Sequence, residues 1–70
     1  MGLDITLNGK PHHYEGETSP TVREFLDSLD LGPQPVLVER NGEALLAREY
    51  DAQRMENGDV IEIVRMVAGG

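Results

Sequence analysis

Asn57-Gly58-Asp59-Val60-Ile61-Glu62-Ile63-Val64-Arg65-Met66-Val67-Ala68-Gly69-Gly70 closes the chain and decides the fold. Asn-Gly-Asp is turn chemistry, because Gly58 accepts a positive φ that a side chain would resist. From Val60 to Val67 the residues are β-branched or long and apolar, the composition of a strand. Side chains alternate across a strand, so Ile61 and Ile63 are assigned to a core while Glu62 and Val64 face outward. The sequence therefore predicts a long final strand that is buried on one face. A slim flexible tail, about residues 67–70, follows it.

Working back from that strand, Val36 and Val38 point one way while Leu37 and Glu39 point the other. Asn41-Gly42 is a hairpin signal, and Glu43 to Leu46 reads as a short returning strand. Between this hairpin and the final strand, Arg48 to Glu56 mixes charges with Tyr50 and Met55. That mixture predicts a partly packed connection.

The N-terminal half opens with Leu3, Ile5 and Leu7 alternating with Asp4 and Thr6, a strand with one buried face. Asn8-Gly9 turns the chain into a partner strand, Lys10 to Tyr14. Pro11 has no amide proton, so this partner should lie at a sheet edge or pair irregularly there. A polar loop then leads to Thr21-Val22-Arg23-Glu24, which matches a capping box. Val22, Phe25, Leu26 and Leu29 recur at helical spacing, leaving Arg23, Glu24, Asp27 and Ser28 to water. Gly32 is the expected left-handed stop and Pro33 blocks continuation, giving a helix of about two and a half turns. Phe25 and Leu29 are expected to share one core with Val36, Val38, Ile61 and Ile63.

At 70 residues the chain has room for one domain, spanning residues 1–70. It has no cysteine, which rules out disulfides, thiolate metal sites and cysteine nucleophiles. Thirteen carboxylates against six basic side chains give a formal charge of −7, a surface that repels nucleic-acid backbones. No apolar run is long enough to cross a bilayer, and the first residues lack a secretory signal, so neither a membrane nor export is expected. The default location is the cytoplasm.

Hairpin, helix, short hairpin and final strand together describe an α+β layer with a mixed sheet packed on one main helix. This order resembles the ubiquitin-like β-grasp fold. The details resemble the ThiS sulfur carriers of thiamin biosynthesis, within the MoaD/ThiS superfamily. The residues that carry the likeness are Val38-Glu39-Arg40-Asn41-Gly42-Glu43, Gly58-Asp59-Val60-Ile61-Glu62-Ile63 and Val67-Ala68-Gly69-Gly70. Arg48 and Tyr50 stand where such carriers often place a basic and then an aromatic residue. Glycine makes up about 7% of residues, so a terminal pair arises by chance in roughly one chain in two hundred. The segment Pro11-His12-His13-Tyr14 matches no family feature.

The resemblance implies that Gly70 is the reacting residue. A ThiF-type adenylyltransferase would use ATP to make an acyl-adenylate on its carboxylate. A sulfur donor such as a cysteine desulfurase would then supply the sulfur of a thiocarboxylate, to be passed to a thiazole synthase of the ThiG type. The residue types suit this role. A free α-carboxylate is anionic at neutral pH and a poor electrophile, so it needs activation. Ala68, Gly69 and Gly70 are slim enough to thread a narrow channel, and glycine leaves the carbonyl unhindered. Leu37, Val64, Met66 and Val67 are the expected partner-binding patch. The chain itself is read as a protein co-substrate, with no bound cofactor and ATP held by the partner.

The same sulfur chemistry serving molybdopterin synthesis or tRNA thiolation remains an alternative, as does a ubiquitin-like modifier or binding module. The pair His12-His13 points to opposite faces of a strand and cannot converge on one metal ion; both are expected to be exposed. Glu49, Asp51, Glu56 and Asp59 lack calcium-loop spacing and are read as a solvated face.

Overall fold

Two Asn-Gly turns organise the sheet. In the computed structural model, which describes residues 2–33 and 35–66, Asn8 and Gly9 have φ of 50° and 81°, and Asn41 and Gly42 have 51° and 86°. Paired positive φ values define the tight turn whose twist matches that of antiparallel strands. The first turn joins β1 (Gly2–Leu7) to β2 (Lys10–Glu15), and the second joins β3 (Val36–Arg40) to β4 (Glu43–Leu45). The final strand, β5 (Val60–Arg65), lies between the hairpins, giving the order β2-β1-β5-β3-β4. It runs parallel to β1, with Thr6 opposite Val60, and antiparallel to β3, with Val38 opposite Ile63. This is the mixed β-grasp sheet. Pro11 lies on an edge strand, as its missing amide requires.

Helix α1 (Val22–Ser28) covers one face. It starts at the capping box: the Glu24 amide donates to Thr21 Oγ1 at 3.1 Å, and the Thr21 amide donates to Glu24 Oε1 at 2.8 Å. Its end differs from expectation. The helix spans about two turns and stops at a Leu29 cap, and Asp30 takes the left-handed step with φ of 53°. Gly32, at φ 82°, makes a second such step after the helix has already ended. A short polar residue tolerates this conformation well enough to displace the glycine as the stop.

Phe25, Val38, Ile61, Val22 and Met55 are almost wholly buried, together with Ile5, Leu26, Leu45 and Tyr50. Each such side chain contributes roughly 1.5–3 kcal/mol of burial free energy, which a domain this small needs. Leu29, Val36 and Ile63 join this core as half-buried neighbours. The connection from Arg48 to Glu56 is more than partly packed, since Tyr50 and Met55 fill the space beside α1. It begins as a short 3-10 turn, Ala47–Glu49, and it is pinned to the helix start. The Val22 amide donates to the Gln53 carbonyl at 2.8 Å, and the Met55 amide to the Pro20 carbonyl at 2.8 Å. Leu46, expected in the returning strand, lies just beyond it and is exposed.

His12 corrects another expectation. It is half-buried on the helix side, its ring edge-on to Phe25 at 5.7 Å, while His13 stays exposed on the opposite face. The two imidazoles do point apart. No helix among the described residues is long and apolar enough to cross a membrane.

Candidate functional site

β5 brings the chain to its C-terminal end as the central strand of the sheet. The β3 ladder holds it as far as the Met66 amide, which donates to the Pro35 carbonyl at 2.9 Å. Val67 and the tail Ala68, Gly69 and Gly70 lie outside the described residues. The described structure therefore follows the last strand as far as Met66.

The opposite end of β5, where the strand begins, is fixed by a buried polar cluster. Asp59, immediately before β5, is only 5% exposed. Its Oδ2 accepts from Arg40 Nε at 3.0 Å and from the Glu56 amide at 2.8 Å, and its Oδ1 accepts from Asn41 Nδ2 at 3.1 Å. Arg40 also donates from Nη1 to Gln53 Oε1 at 3.1 Å. Asn41 completes the link by accepting the Val60 amide at 2.9 Å. Reading Asp59 as part of a solvated acidic face is thus corrected: its side-chain partners are on β3 and its turn, and burial is tolerated because both carboxylate oxygens are hydrogen-bonded. Asp51 does face solvent, 3.3 Å from Arg23 Nε. Tyr50 is buried beneath Arg23, whose guanidinium lies 5.1 Å from the ring centroid, so its basic neighbour in space is Arg23.

The face opposite α1 carries the predicted patch. Leu37 and Val64 are direct cross-strand partners, and Met66 follows on the same side of β5; their exposures are 42%, 55% and 56%. Cross-strand neighbours on one face make a continuous surface. Val60, also exposed, extends it toward the other end of the strand. Sequence reading had not included Val60, although the alternation that puts Glu62 and Val64 outward puts Val60 there too. Glu39 and Glu62 face each other between these apolar residues. Opposed like charges destabilise a sheet, so the pair is costly to the isolated domain.

On the same face His13 Nδ1 lies 2.7 Å from Asp4 Oδ1, and its Nε2 lies 3.5 Å from Glu15 Oε1. The Asp4 hydrogen bond, then the Glu15 one, holds the His13 imidazole above its ordinary pKa; the same bond to His13 holds Glu15 below its own. Among the described residues, no three His, Cys, Asp or Glu side chains converge as a metal-binding group.

Comparison with known proteins adds the identity that geometry alone does not carry. The profile of the ThiS family matches residues 5–70, a span that includes both terminal glycines. A sulfur carrier protein ThiS of Bacillus subtilis is 38% identical over 94% of this chain and 98% of its own. A thiazole synthase of Magnetococcus marinus is 37% identical over 97% of this chain, which spans only 20% of that protein. The crystal structure of a thiamine biosynthesis protein (ThiS) from Geobacter metallireducens superposes with a TM-score of 0.84. It is 36% identical, covering 97% of this chain and all of the other. With the profile matched from the first strand to the last glycine and the β-grasp sheet in place, this chain belongs to the ThiS family.

Proposed function

We propose that the chain is a cytoplasmic sulfur carrier for thiazole formation in thiamin biosynthesis, with Gly70 as the residue that is modified. A ThiF-type adenylyltransferase joins the Gly70 carboxylate to AMP, releasing pyrophosphate from ATP. A hydrosulfide equivalent, released by a thiol reductant from the persulfide of a donor such as a cysteine desulfurase, then attacks the acyl carbon. The C–S bond forms, the C–O bond to AMP breaks, and a terminal thiocarboxylate remains. A thiazole synthase of the ThiG type takes up that sulfur. The chain acts throughout as co-substrate, and its own part is to present the tail and to dock.

The observation that carries this reading is the family match running through Gly69-Gly70, at the end of a strand held firmly up to Met66. The thiazole synthase relative favours thiazole as the acceptor over molybdopterin or tRNA. Leu37, Val64 and Met66 supply the surface that the activating enzyme grips, with Val67 continuing it in sequence.

Intact-mass analysis after incubation with a ThiF-type enzyme, ATP and sulfide tests the proposal. The expected product has one oxygen replaced by sulfur, and a chain lacking Gly70 gives none. A folded chain that yields neither adenylate nor thiocarboxylate with an active enzyme would overturn it.

A further inference from the structure

β5 is paired unevenly along its two sides. On the β3 side its ladder runs from the Asn41 amide on the Val60 carbonyl at 2.7 Å to the Met66 amide on the Pro35 carbonyl at 2.9 Å. On the other side β1 supplies only Thr6 and Leu7, opposite Val60 and Ile61. The turn after β1 then adds two bonds: the Asn8 amide donates to the Ile61 carbonyl at 2.9 Å, and the Ile63 amide donates to Asn8 Oδ1 at 2.8 Å. Strand alternation turns the Ile63 carbonyl and the Arg65 amide to this same side, beyond the end of β1. No hydrogen bond among the described residues engages either group.

Beside that open edge, on the helix side, is a notch of about 280 Å³ lined by Leu7, Asn8, Leu29, Leu31, Ile63 and Arg65. Its four apolar side chains are half-buried, so each has surface left to cover. The Arg65 guanidinium makes no ion pair among the described residues.

We propose that this notch takes an extended segment of a partner protein as an added strand, one bearing an apolar residue and, two positions along, an Asp or Glu. The free carbonyl and amide call for a strand, because only extended backbone meets both. Residues two apart on a strand share a face, so the segment sets its apolar side chain over Ile63, Leu29 and Leu31 and its carboxylate against Arg65. The rest of this acidic chain, at −7, repels such a segment, and Arg65 selects the place where it settles. That the segment's owner is an enzyme acting on the tail rests on the sulfur-carrier reading; the recognition chemistry does not.

Short random peptides displayed on phage, selected on the full chain, provide the test. Enriched sequences should share an apolar residue and an acidic one at a spacing of two. A synthetic consensus peptide should shift the Leu31, Ile63 and Arg65 amide resonances and slow exchange of the Arg65 amide. Arg65→Glu should weaken it about tenfold or more, while Arg65→Lys retains part of the binding and Arg48→Glu retains all of it. Each variant's amide spectrum reports whether it is folded. Absence of enrichment, equal binding by Arg65→Glu, or shifts confined to Leu37 and Val64 would overturn the inference. The carrier reading is judged separately by the mass of the thiocarboxylate product, so the failure of either is recognisable alone.

Discussion

The Arg40 guanidinium and the Asp59 carboxylate meet at the root of the last strand, Nε to Oδ2 at 3.0 Å, with both side chains largely withdrawn from water. The pair ties the end of β3 to the turn before β5, and through Gln53 it reaches the connection that packs on the helix. A Gly-Asp turn before the final strand thus has a structural purpose: it sets the start of β5 in a fixed position against β3.

Asp59→Ala leaves Arg40 nearly buried without its anion and removes the acceptor for the Glu56 amide and the Asn41 side chain. The expected loss of unfolding free energy is about 3 kcal/mol, read from urea denaturation at neutral pH. A loss below about 1 kcal/mol would show that water replaces the cluster readily.

Thr21→Ala removes one half of the capping box while leaving the helix stripe intact. Stability should fall by about 1 kcal/mol in the same measurement. Glu24→Ala should cost a similar or smaller amount, and the double variant should cost less than the two together, because the bonds are reciprocal.

Val64→Asp places a charge in the middle of the apolar surface shared with Leu37 and Met66. Binding to a ThiF-type enzyme, followed by calorimetry, should weaken by about tenfold or more while the domain stays folded. Unchanged affinity would remove these residues from the docking surface.

The His13 contacts give a pH dependence with a definite sign. Asp4, then Glu15, raises the imidazole above its ordinary 6.5, so its stabilising contribution is complete below the unfolded value and fades as pH rises through the folded one. Glu15 is lowered from 4.5 by His13, so its contribution is present above the unfolded value and lost as pH falls through the folded one. The β1–β2 hairpin should therefore be tightest between those two ordinary values. The groups are open to solvent, so salt should weaken the effect. An NMR titration should place the His13 midpoint above 6.5 at low salt and lower it in Asp4→Asn; no difference between the two proteins would refute the contact.

Much of the fold was legible because its signals are local. Asn8-Gly9 and Asn41-Gly42 specify tight hairpins by backbone preference alone, and Thr21 with Glu24 marks a helix start within four residues. Alternation along Val60–Arg65 was enough to separate Ile61 from Val64 and so to find the exposed surface. What was missed depends on partners distant in sequence. Asp59 reads as a soluble turn residue until Arg40 and Asn41 are brought to it. Tyr50 and Met55 marked their stretch as partly packed, but without periodicity nothing local showed how deeply they are buried. His12 looks polar, yet β1–β2 register turns it onto Phe25. The helix end was misplaced because glycine is the usual left-handed residue, and here Asp30 takes that conformation first. The tail residues were assigned a chemical role by the family resemblance alone, since glycine pairs have no packing signature.

The parallel pairing of β1 with β5 has a practical consequence for anyone attaching something to this domain. With Thr6 beside Val60, Gly2 and Arg65 emerge from opposite ends of the sheet, roughly 30 Å apart at the usual rise of a strand. A tether, dye or second polypeptide joined ahead of Gly2 therefore leaves on the far side from the end of β5. Such a chimera can be immobilised or tracked while the Arg65 end of β5 remains unobstructed.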